Sequence, residues 1–200
     1  MQKIGIFGGT FNPPHKGHIK AAEQILEILG LDKVIFVPNR LPPHRLVELN
    51  IESSDRFKMV ELAVKGNPKL EVSDIELKRE GRSYTYDTIA GLKNSYPGDK
   101  LYFIAGIEAL TEYKWYKLDD ILAMLEGFMA ITRPGSSKEE FYSNLKNLNL
   151  ANFEKIKPVD IEALDISSTK VRKMIKNGKS LTSMLPEKVI KYINEKGLYK

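Results

Sequence analysis

The sequence contains no cysteine, which is the first of several absences that limit what the chain can do. Without thiols it can form no disulfide, no thiolate metal centre and no cysteine nucleophile. No apolar run approaches the length of a membrane span, and Met1 leads directly into a predicted strand instead of a basic and apolar leader. We therefore expect a soluble protein, cytoplasmic in location, with no membrane partner.

A strongly basic body is also lacking. The net charge is +5 at pH 7, but residues 170–200 hold nine Lys and Arg against two Asp and Glu. Lysines on two C-terminal helices often do no more than solvate an outer face, so we predict no nucleic-acid partner. The opposite hypothesis, a non-enzymatic nucleic-acid binder, would show salt-sensitive binding to DNA or RNA and no ATP turnover.

The 200 residues predict one domain over 1–200, with 168–200 as a C-terminal helical subregion. Helical patterns separate short apolar runs, and the predicted strands are 3–7, 34–37, 70–77, 101–105, 128–132 and 156–161. Continuous apolar strands that alternate with helices are typical of a parallel sheet buried on both faces. The expected fold class is α/β: a Rossmann-like, doubly wound parallel sheet covered by helices on both faces.

The first strand ends in Gly8 and Gly9, and a polar turn with His15 and His18 follows before a helix begins. A strand, a turn and a helix start can hold an anion on backbone N–H groups and the helix dipole. The segment matches neither G-x-G-x-x-G nor the P-loop pattern. A zinc site is the alternative, but it would have no cysteine and no evident carboxylate ligand. We favour two imidazoles that donate to a phosphate.

Further polar clusters follow the ends of other predicted strands, where ligands bind in parallel sheets. In 166–172, Ser167 or Ser168 is a candidate helix N-cap, and Arg172 follows one turn later. Segment 82–88 is a polar start to another helix, and 106–108 leads toward Trp115. Taken singly, a capped surface helix or a packing tryptophan would explain each of these clusters equally well.

Together, the clusters resemble the nucleotidyltransferase superfamily that carries H-x-G-H and I-S-S-T-x-x-R. The first motif lies in 8–18 and the second in 166–172. The pairs Pro42-Pro43 and His44-Arg45, the run Ser83-Tyr84-Thr85-Tyr86-Asp87-Thr88, Trp115 and Arg133-Pro134-Gly135 narrow the resemblance to the bacterial nicotinate-nucleotide adenylyltransferases. The chain departs from that family at Arg45, where Lys is usual, and at Ile107-Glu108, where Ala-Asp or Thr-Asp is usual.

The resemblance implies transfer of the adenylyl group of ATP to nicotinate mononucleotide, which gives nicotinate adenine dinucleotide and pyrophosphate in NAD biosynthesis. It implies Mg²⁺ as cofactor and assigns no residue to a resident metal site. The implied catalytic residues are His15, His18, Arg45 and Arg172. The implied ATP-binding residues are Gly8, Gly9, Thr10, Phe11, His15, His18, Gly106, Ser167, Ser168, Thr169 and Arg172. The implied mononucleotide-binding residues are Asn39, His44, Arg45, Ser83, Thr85, Trp115, Tyr116 and Arg133.

Two other enzyme classes share part of this pattern. A phosphopantetheine adenylyltransferase would carry the first and last motifs, but it is usually shorter and lacks the Ser-Tyr-Thr-x-Asp-Thr segment. A class I aminoacyl-tRNA synthetase fragment would carry H-x-G-H, but this chain is too short for the rest. The sequence leaves open the order of substrate binding and whether the protein is a homo-oligomer.

Overall fold

The structure, a computed structural model, describes residues 1–42, 51–112, 115–132, 141–143, 145, 150–162 and 164–200. His44, Arg45 and Arg133, three of the expected site residues, lie outside these ranges. Within them, six strands form one sheet. The strands are β1 (Lys3–Gly9), β2 (Lys33–Pro38), β3 (Leu70–Val72), β4 (Lys100–Gly106), β5 (Gly127–Thr132) and β6 (Ile156–Asp160).

All neighbouring strands are parallel, and their order across the sheet is β3-β2-β1-β4-β5-β6. This order reverses between β1 and β4, which gives the doubly wound arrangement expected from the sequence. Gly9 pairs with Pro38, and Gly106 pairs with Ile131, so the strands end at nearly the same level. The polar segments that follow these strands therefore start from one edge of the sheet.

Seven α-helices with described bounds connect or flank the strands. They are α1 (Lys16–Leu29), α2 (Ser53–Val64), α3 (Thr85–Ser95), α4 (Glu108–Glu112), α5 (Leu118–Met124), α6 (Ser168–Lys176) and α7 (Glu187–Lys196). Gly30 and Gly197 follow α1 and α7 with φ angles of 58° and 62°, the left-handed conformation that ends a helix. Pro186 precedes α7 with the φ angle that proline favours.

Two apolar cores lie on opposite faces of the sheet. Ile4 and Ile6 of β1 pack with α3 and α5 on one face. Phe7 of β1 packs with α1 and α2 on the other. Because successive strand residues face opposite sides, burial on both faces requires the continuous apolar strands seen in the sequence. A third core joins Met59 of α2 to Val171 of α6 and Val189 of α7, so the C-terminal helices pack against α2.

The prediction of β3 was too long, because the strand ends at Val72 and not at residue 77. The backbone N–H of Ser73 still donates to the Phe36 carbonyl, and beyond Ser73 the chain turns toward α3. Glu76 is buried there and accepts a hydrogen bond from Thr88 at 2.6 Å. Ile75 was counted as a strand residue, but it packs instead on Gly91 of α3, where a Cβ would come within 2.8 Å of it.

Other predicted boundaries hold to within one or two residues. The sequence pattern predicts a helix capped by Ser54, but α2 begins at Ser53 and Glu52 precedes it. The pattern also predicts a helix over 138–147, which lies mostly outside the described residues; 141–143 and 145 are helical. The organisation as one domain with 168–200 as a C-terminal helical subregion stays a prediction.

Candidate active site

The loop between β1 and α1 carries two imidazoles in direct contact. His15 precedes α1 as its N-cap, and its backbone N–H donates to Nδ1 of His18 at 3.1 Å. The two rings stack with centroids 3.6 Å apart and planes 21° apart. Since Nδ1 of His18 accepts, its ring proton must be on Nε2. The fold therefore makes Nε2 of His18 a hydrogen-bond donor.

Gly17 makes this stacked pair sterically feasible. A Cβ at position 17 would lie 3.0 Å from Nδ1 and 3.2 Å from Cε1 of His15. Both distances are shorter than ordinary van der Waals contact, so a side chain here would push the His15 ring out of its place. Gly17, the glycine of H-x-G-H, therefore leaves the space that the His15 ring occupies.

Both imidazoles are neutral near pH 7. Burial lowers the pKa of His15 from its usual 6.5 to about 4. Burial also lowers the pKa of His18, and the neighbouring His15 lowers it further. Nδ1 of His15 is buried and faces the backbone N–H of His18 in a capping box at the start of α1, with no further partner among the described residues. This nitrogen therefore serves the helix start.

We predict that the unbound protein loses stability as the pH falls from about 6.5 to about 4. Unfolded His15 binds a proton near pH 6.5, whereas folded His15, only 6% exposed, resists protonation until about pH 4. The contribution of His15 to the free energy of unfolding is therefore complete above the unfolded pKa. By about pH 4, protonation of the unfolded chain at His15 has lowered the free energy of unfolding by roughly 3 kcal/mol. Urea unfolding at a series of pH values should show a shallower decline for His15→Gln. Equal slopes for the two proteins would contradict the assignment.

The start of α6 adjoins the β1–α1 loop. The Ser167 side chain caps α6 by accepting the backbone N–H of Lys170 at 3.2 Å, as predicted. Ser168 donates to the carbonyl of Pro13 at 2.9 Å, and Nη1 of Arg172 donates to the carbonyl of Asn12 at 2.7 Å. The structure thus brings the two signature motifs into contact across about 155 to 160 residues of chain.

Thr169 completes this group, because Nη2 of Arg172 donates to its hydroxyl at 3.2 Å. The first N–H groups of a helix have no partner within the helix, and its dipole favours a negative charge there. Free amides, hydroxyls and a guanidinium therefore meet beside the imidazole pair. This combination suits a polyphosphate.

A second group of expected residues ties the end of β2 to the loop and to the start of α3. Asn39 follows β2, and its Nδ2 donates to the Thr10 hydroxyl at 3.1 Å. Ser83 is buried, and its hydroxyl accepts the backbone N–H groups of Arg40 and Leu41 at 3.0 and 3.1 Å. Asn39 and Ser83 are therefore both held by backbone or side-chain partners near the loop.

Aromatic rings join the start of α3 to the segment after α4. The rings of Tyr84 and Tyr86 lie 5.1 and 6.1 Å from the ring of Tyr116, which is exposed. Thr85 is the first residue of α3, between the two tyrosines. The structure therefore brings together the two chain segments, at Thr85 and Tyr116, that the sequence assigned to one pocket.

Trp115 is anchored by its edge. Its Nε1 donates to the carbonyl of Ala109 at 2.7 Å, and its ring meets Phe103 and Phe128 at steep angles, with centroids 6.0 and 5.4 Å away. The residue is only partly buried. An indole held in this way has a fixed orientation, which is what a stacking platform requires.

The segment after β4 carries Ile107 and Glu108, where the family that it resembles usually has Ala-Asp or Thr-Asp. A Cβ at Gly106 would come within 2.8 Å of Oε2 of Glu108. The longer carboxylate therefore folds back over the glycine. The backbone N–H of Ile107 donates to the carbonyl of Ile131 and extends the β4–β5 pairing past the end of β4.

One residue important to the loop was missed from the sequence. Arg56 of α2 is fully buried, and it donates to the carbonyls of Thr10 and Arg40 at 2.8 and 3.1 Å. Burial lowers its pKa, although Tyr199, Glu76 and Glu52 oppose that effect. The apolar positions that predict this helix in the sequence are Phe57, Val60 and Val64, and Arg56 is not among them. No local signal distinguishes an inward-facing Arg from a solvated one.

Metal and membrane features can be stated for the described residues only. Among them, no group of three or more His, Asp or Glu could hold a metal ion. No described helix is both long enough and apolar enough to cross a membrane.

Comparisons with known proteins show the family and the fold of this chain. The model of the cytidylyltransferase-like family matches residues 6–174. A nicotinate-nucleotide adenylyltransferase of Bacillus subtilis is 42% identical over 201 residues, covering 100% of this chain and 99% of the relative. A solved nicotinic acid mononucleotide adenylyltransferase of Plasmodium falciparum, complexed with NaAD, has a TM-score of 0.79 at 20% identity and covers 100% of this chain and 98% of its own. A second structure of that enzyme, complexed with APC, has a TM-score of 0.76. At such identity these two structures show the fold alone.

Proposed function

Because the chain belongs to the cytidylyltransferase-like family, and within it to the nicotinate-nucleotide adenylyltransferases, we propose how its site performs adenylyl transfer. The enzyme transfers the adenylyl group of ATP to nicotinate mononucleotide, forming nicotinate adenine dinucleotide and pyrophosphate in NAD biosynthesis. The observation that carries the proposal is the contact between the loop that bears the imidazole pair and the start of α6, beyond the carboxyl end of β1.

ATP lies, in this proposal, along the β1–α1 loop. Its α-phosphate faces His15 and His18, and its β- and γ-phosphates face Arg172 and the amides of Ser168 and Thr169. The backbone of Gly8, Gly9, Thr10, Phe11 and Gly106 borders the nucleotide. The Nε2–H of His18 supplies a hydrogen-bond donor for the phosphate, since Nδ1 of the same ring accepts the backbone N–H of His15.

The phosphate of nicotinate mononucleotide attacks the α-phosphorus of ATP, and pyrophosphate leaves. The attacking phosphate is already an anion, so the reaction needs no strong base. The tasks of the protein are to align the reactants and to stabilise the charge that develops on the phosphate oxygens. A neutral His18 suits this task, because it donates a hydrogen bond without giving up a proton. Arg45 is proposed as a further cationic donor.

Nicotinate mononucleotide occupies the side of the site formed by β2, α3 and the segment after α4. Trp115 stacks on the pyridine ring, and the backbone N–H groups of Thr85 and Tyr116 hold the carboxylate. The observations that support this are the fixed indole and the short distance between the tyrosine rings that flank these amides. Asn39, Ser83 and the undescribed His44, Arg45 and Arg133 complete the proposed contacts.

Mg²⁺ is proposed to arrive with the triphosphate. The described residues contain no carboxylate cluster for it, and the loop presents imidazoles and amides, which are donors to phosphate rather than ligands for a hard cation. Mg²⁺ would neutralise part of the charge of the triphosphate. The cytoplasmic location, the absence of nucleic-acid and membrane partners and the oligomeric state stay predictions.

A pyrophosphate-release assay with different adenylyl acceptors tests the proposed reaction. With ATP and Mg²⁺, we expect release with nicotinate mononucleotide and only background release with phosphopantetheine. In this proposal the Ser83–Thr88 segment and Trp115 hold a flat ring that carries a carboxylate. Phosphopantetheine has neither the ring nor the carboxylate. Release with phosphopantetheine alone would assign the enzyme to the rival class.

A further inference from the structure

The end of the chain returns to the nucleotide loop. The hydroxyl of Tyr199, the residue before the last, donates to Oδ1 of Asn12 at 2.7 Å. The backbone carbonyl of the same Asn12 accepts from Nη1 of Arg172 at 2.7 Å. Asn12 is therefore held at two points, by the C-terminal segment through its side chain and by α6 through its backbone.

The tertiary contacts around Tyr199 hold it in an unusual conformation. Its φ angle is 67°, a left-handed value that residues other than glycine rarely adopt. It packs against the core formed by α2, α6 and α7, and burial raises the pKa of its hydroxyl well above the usual value. The hydroxyl therefore stays protonated, and able to donate, near neutral pH.

We propose that Tyr199 is a positioning residue for adenylyl transfer: by fixing Asn12 it sets where Arg172 and the loop amides meet the triphosphate. This inference rests on the proposed function. It predicts an effect on ATP and little effect on the mononucleotide, because the described contacts of Ser83 and of the α3 tyrosines do not involve the loop around Asn12.

The alternative is that Tyr199 only anchors the C-terminus to the rest of the protein. A neighbouring tyrosine offers a matched control. The hydroxyl of Tyr192 on α7 donates to Oδ1 of Asp55 on α2 at 2.6 Å. This bond ties the C-terminal segment to α2 and shares no atom with the Tyr199–Asn12 hydrogen bond, although Asp55 also lies close enough to Tyr199 to influence its hydroxyl. Tyr192→Phe therefore removes an anchor of the C-terminal segment and leaves the Tyr199–Asn12 hydrogen bond in place.

Steady-state kinetics of Tyr199→Phe and Tyr192→Phe separate the two explanations. A hydrogen bond contributes a net free energy of about 1 kcal/mol, so we expect Tyr199→Phe to lower kcat/KM for ATP about fivefold. The KM for nicotinate mononucleotide should change less than about twofold, and Tyr192→Phe should change neither constant beyond that range. If Tyr199 acts through Asn12, adding Tyr199→Phe to Asn12→Ala should have no further effect.

Several outcomes would overturn the proposal. The first is an unchanged kcat/KM for ATP in Tyr199→Phe, and the second is a fall of the same size in Tyr192→Phe. The third is an equal change in the constants for ATP and for the mononucleotide. The last two are a full effect of Tyr199→Phe in the Asn12→Ala background and failure of Tyr199→Phe to fold. Calorimetric titration with ATP alone keeps this test separate from the proposed reaction. A weaker Kd for ATP in Tyr199→Phe supports the positioning role even if nicotinate mononucleotide proves not to be the acceptor.

Discussion

Replacing His18 with alanine is expected to lower kcat by about 10²- to 10³-fold, the usual cost of losing one preorganised donor to a developing charge. The reason is geometric. The backbone N–H of His15 donates to Nδ1 of His18. Nε2 of His18 therefore carries the ring proton and can donate to the α-phosphate throughout the reaction. Steady-state turnover under saturating ATP and nicotinate mononucleotide gives the measurement.

His18 also accepts a hydrogen bond and stacks on His15, so the variant must be shown to fold. We expect a modest fall in melting temperature. Lys20→Ala is the control on the same helix, because it removes an exposed ion pair to Glu162, which contributes little to stability. It should leave kcat unchanged. Turnover of His18→Ala near that of the wild type would rule out the proposed role.

Replacing Arg172 with alanine should raise the KM for ATP about 10- to 100-fold, because hydrogen bonds to charged groups contribute about 1.5–3 kcal/mol each. The guanidinium lies beside the capped start of α6 and holds the carbonyl of Asn12, so its loss removes a phosphate donor and loosens the loop. The KM for nicotinate mononucleotide should stay near its wild-type value.

Lys176→Ala is the matched control for Arg172, since it removes one positive charge from an exposed position four residues further along α6. It should change neither KM. Arg172→Lys should recover only part of the affinity, because an ammonium group keeps the charge but not the planar fork of donors. If Arg172→Ala raised the KM for ATP and the KM for the mononucleotide by the same factor, Arg172 would not be a donor specific to the phosphates of ATP.

The fold class followed from the sequence because its signals are local and repeated. Apolar strands such as 3–7 and 101–105 alternate with helical patterns, and this predicts a parallel sheet covered on both faces. The strand order and the C-terminal core on α2 depend on long-range packing that no local pattern encodes. The end of β3 was misplaced because Ile75 is apolar, and periodicity alone cannot tell a strand from a buried turn.

The candidate site was only partly predictable. Both motifs were expected to bind ATP, and the hydrogen bonds from Ser168 and Arg172 bring the β1–α1 loop and α6 together. That they bind ATP stays a prediction. Arg56 and Tyr199 were not expected. Each acts on the loop through a single contact between residues far apart in the sequence, and Arg and Tyr are most often read as surface residues. The tautomer of His18 also needed the structure, because the partner of one ring nitrogen determines it.

The central claim, that this enzyme joins ATP to the acid form of the mononucleotide, is tested most directly by comparing kcat/KM for nicotinate mononucleotide and nicotinamide mononucleotide. A carboxylate can accept from both proposed amides, at Thr85 and Tyr116, whereas a carboxamide turns an NH₂ donor toward one of them. Such a mismatch costs about 1–3 kcal/mol, so we predict a preference for the acid of at least about tenfold. Equal values, or a preference for the amide, would contradict the account.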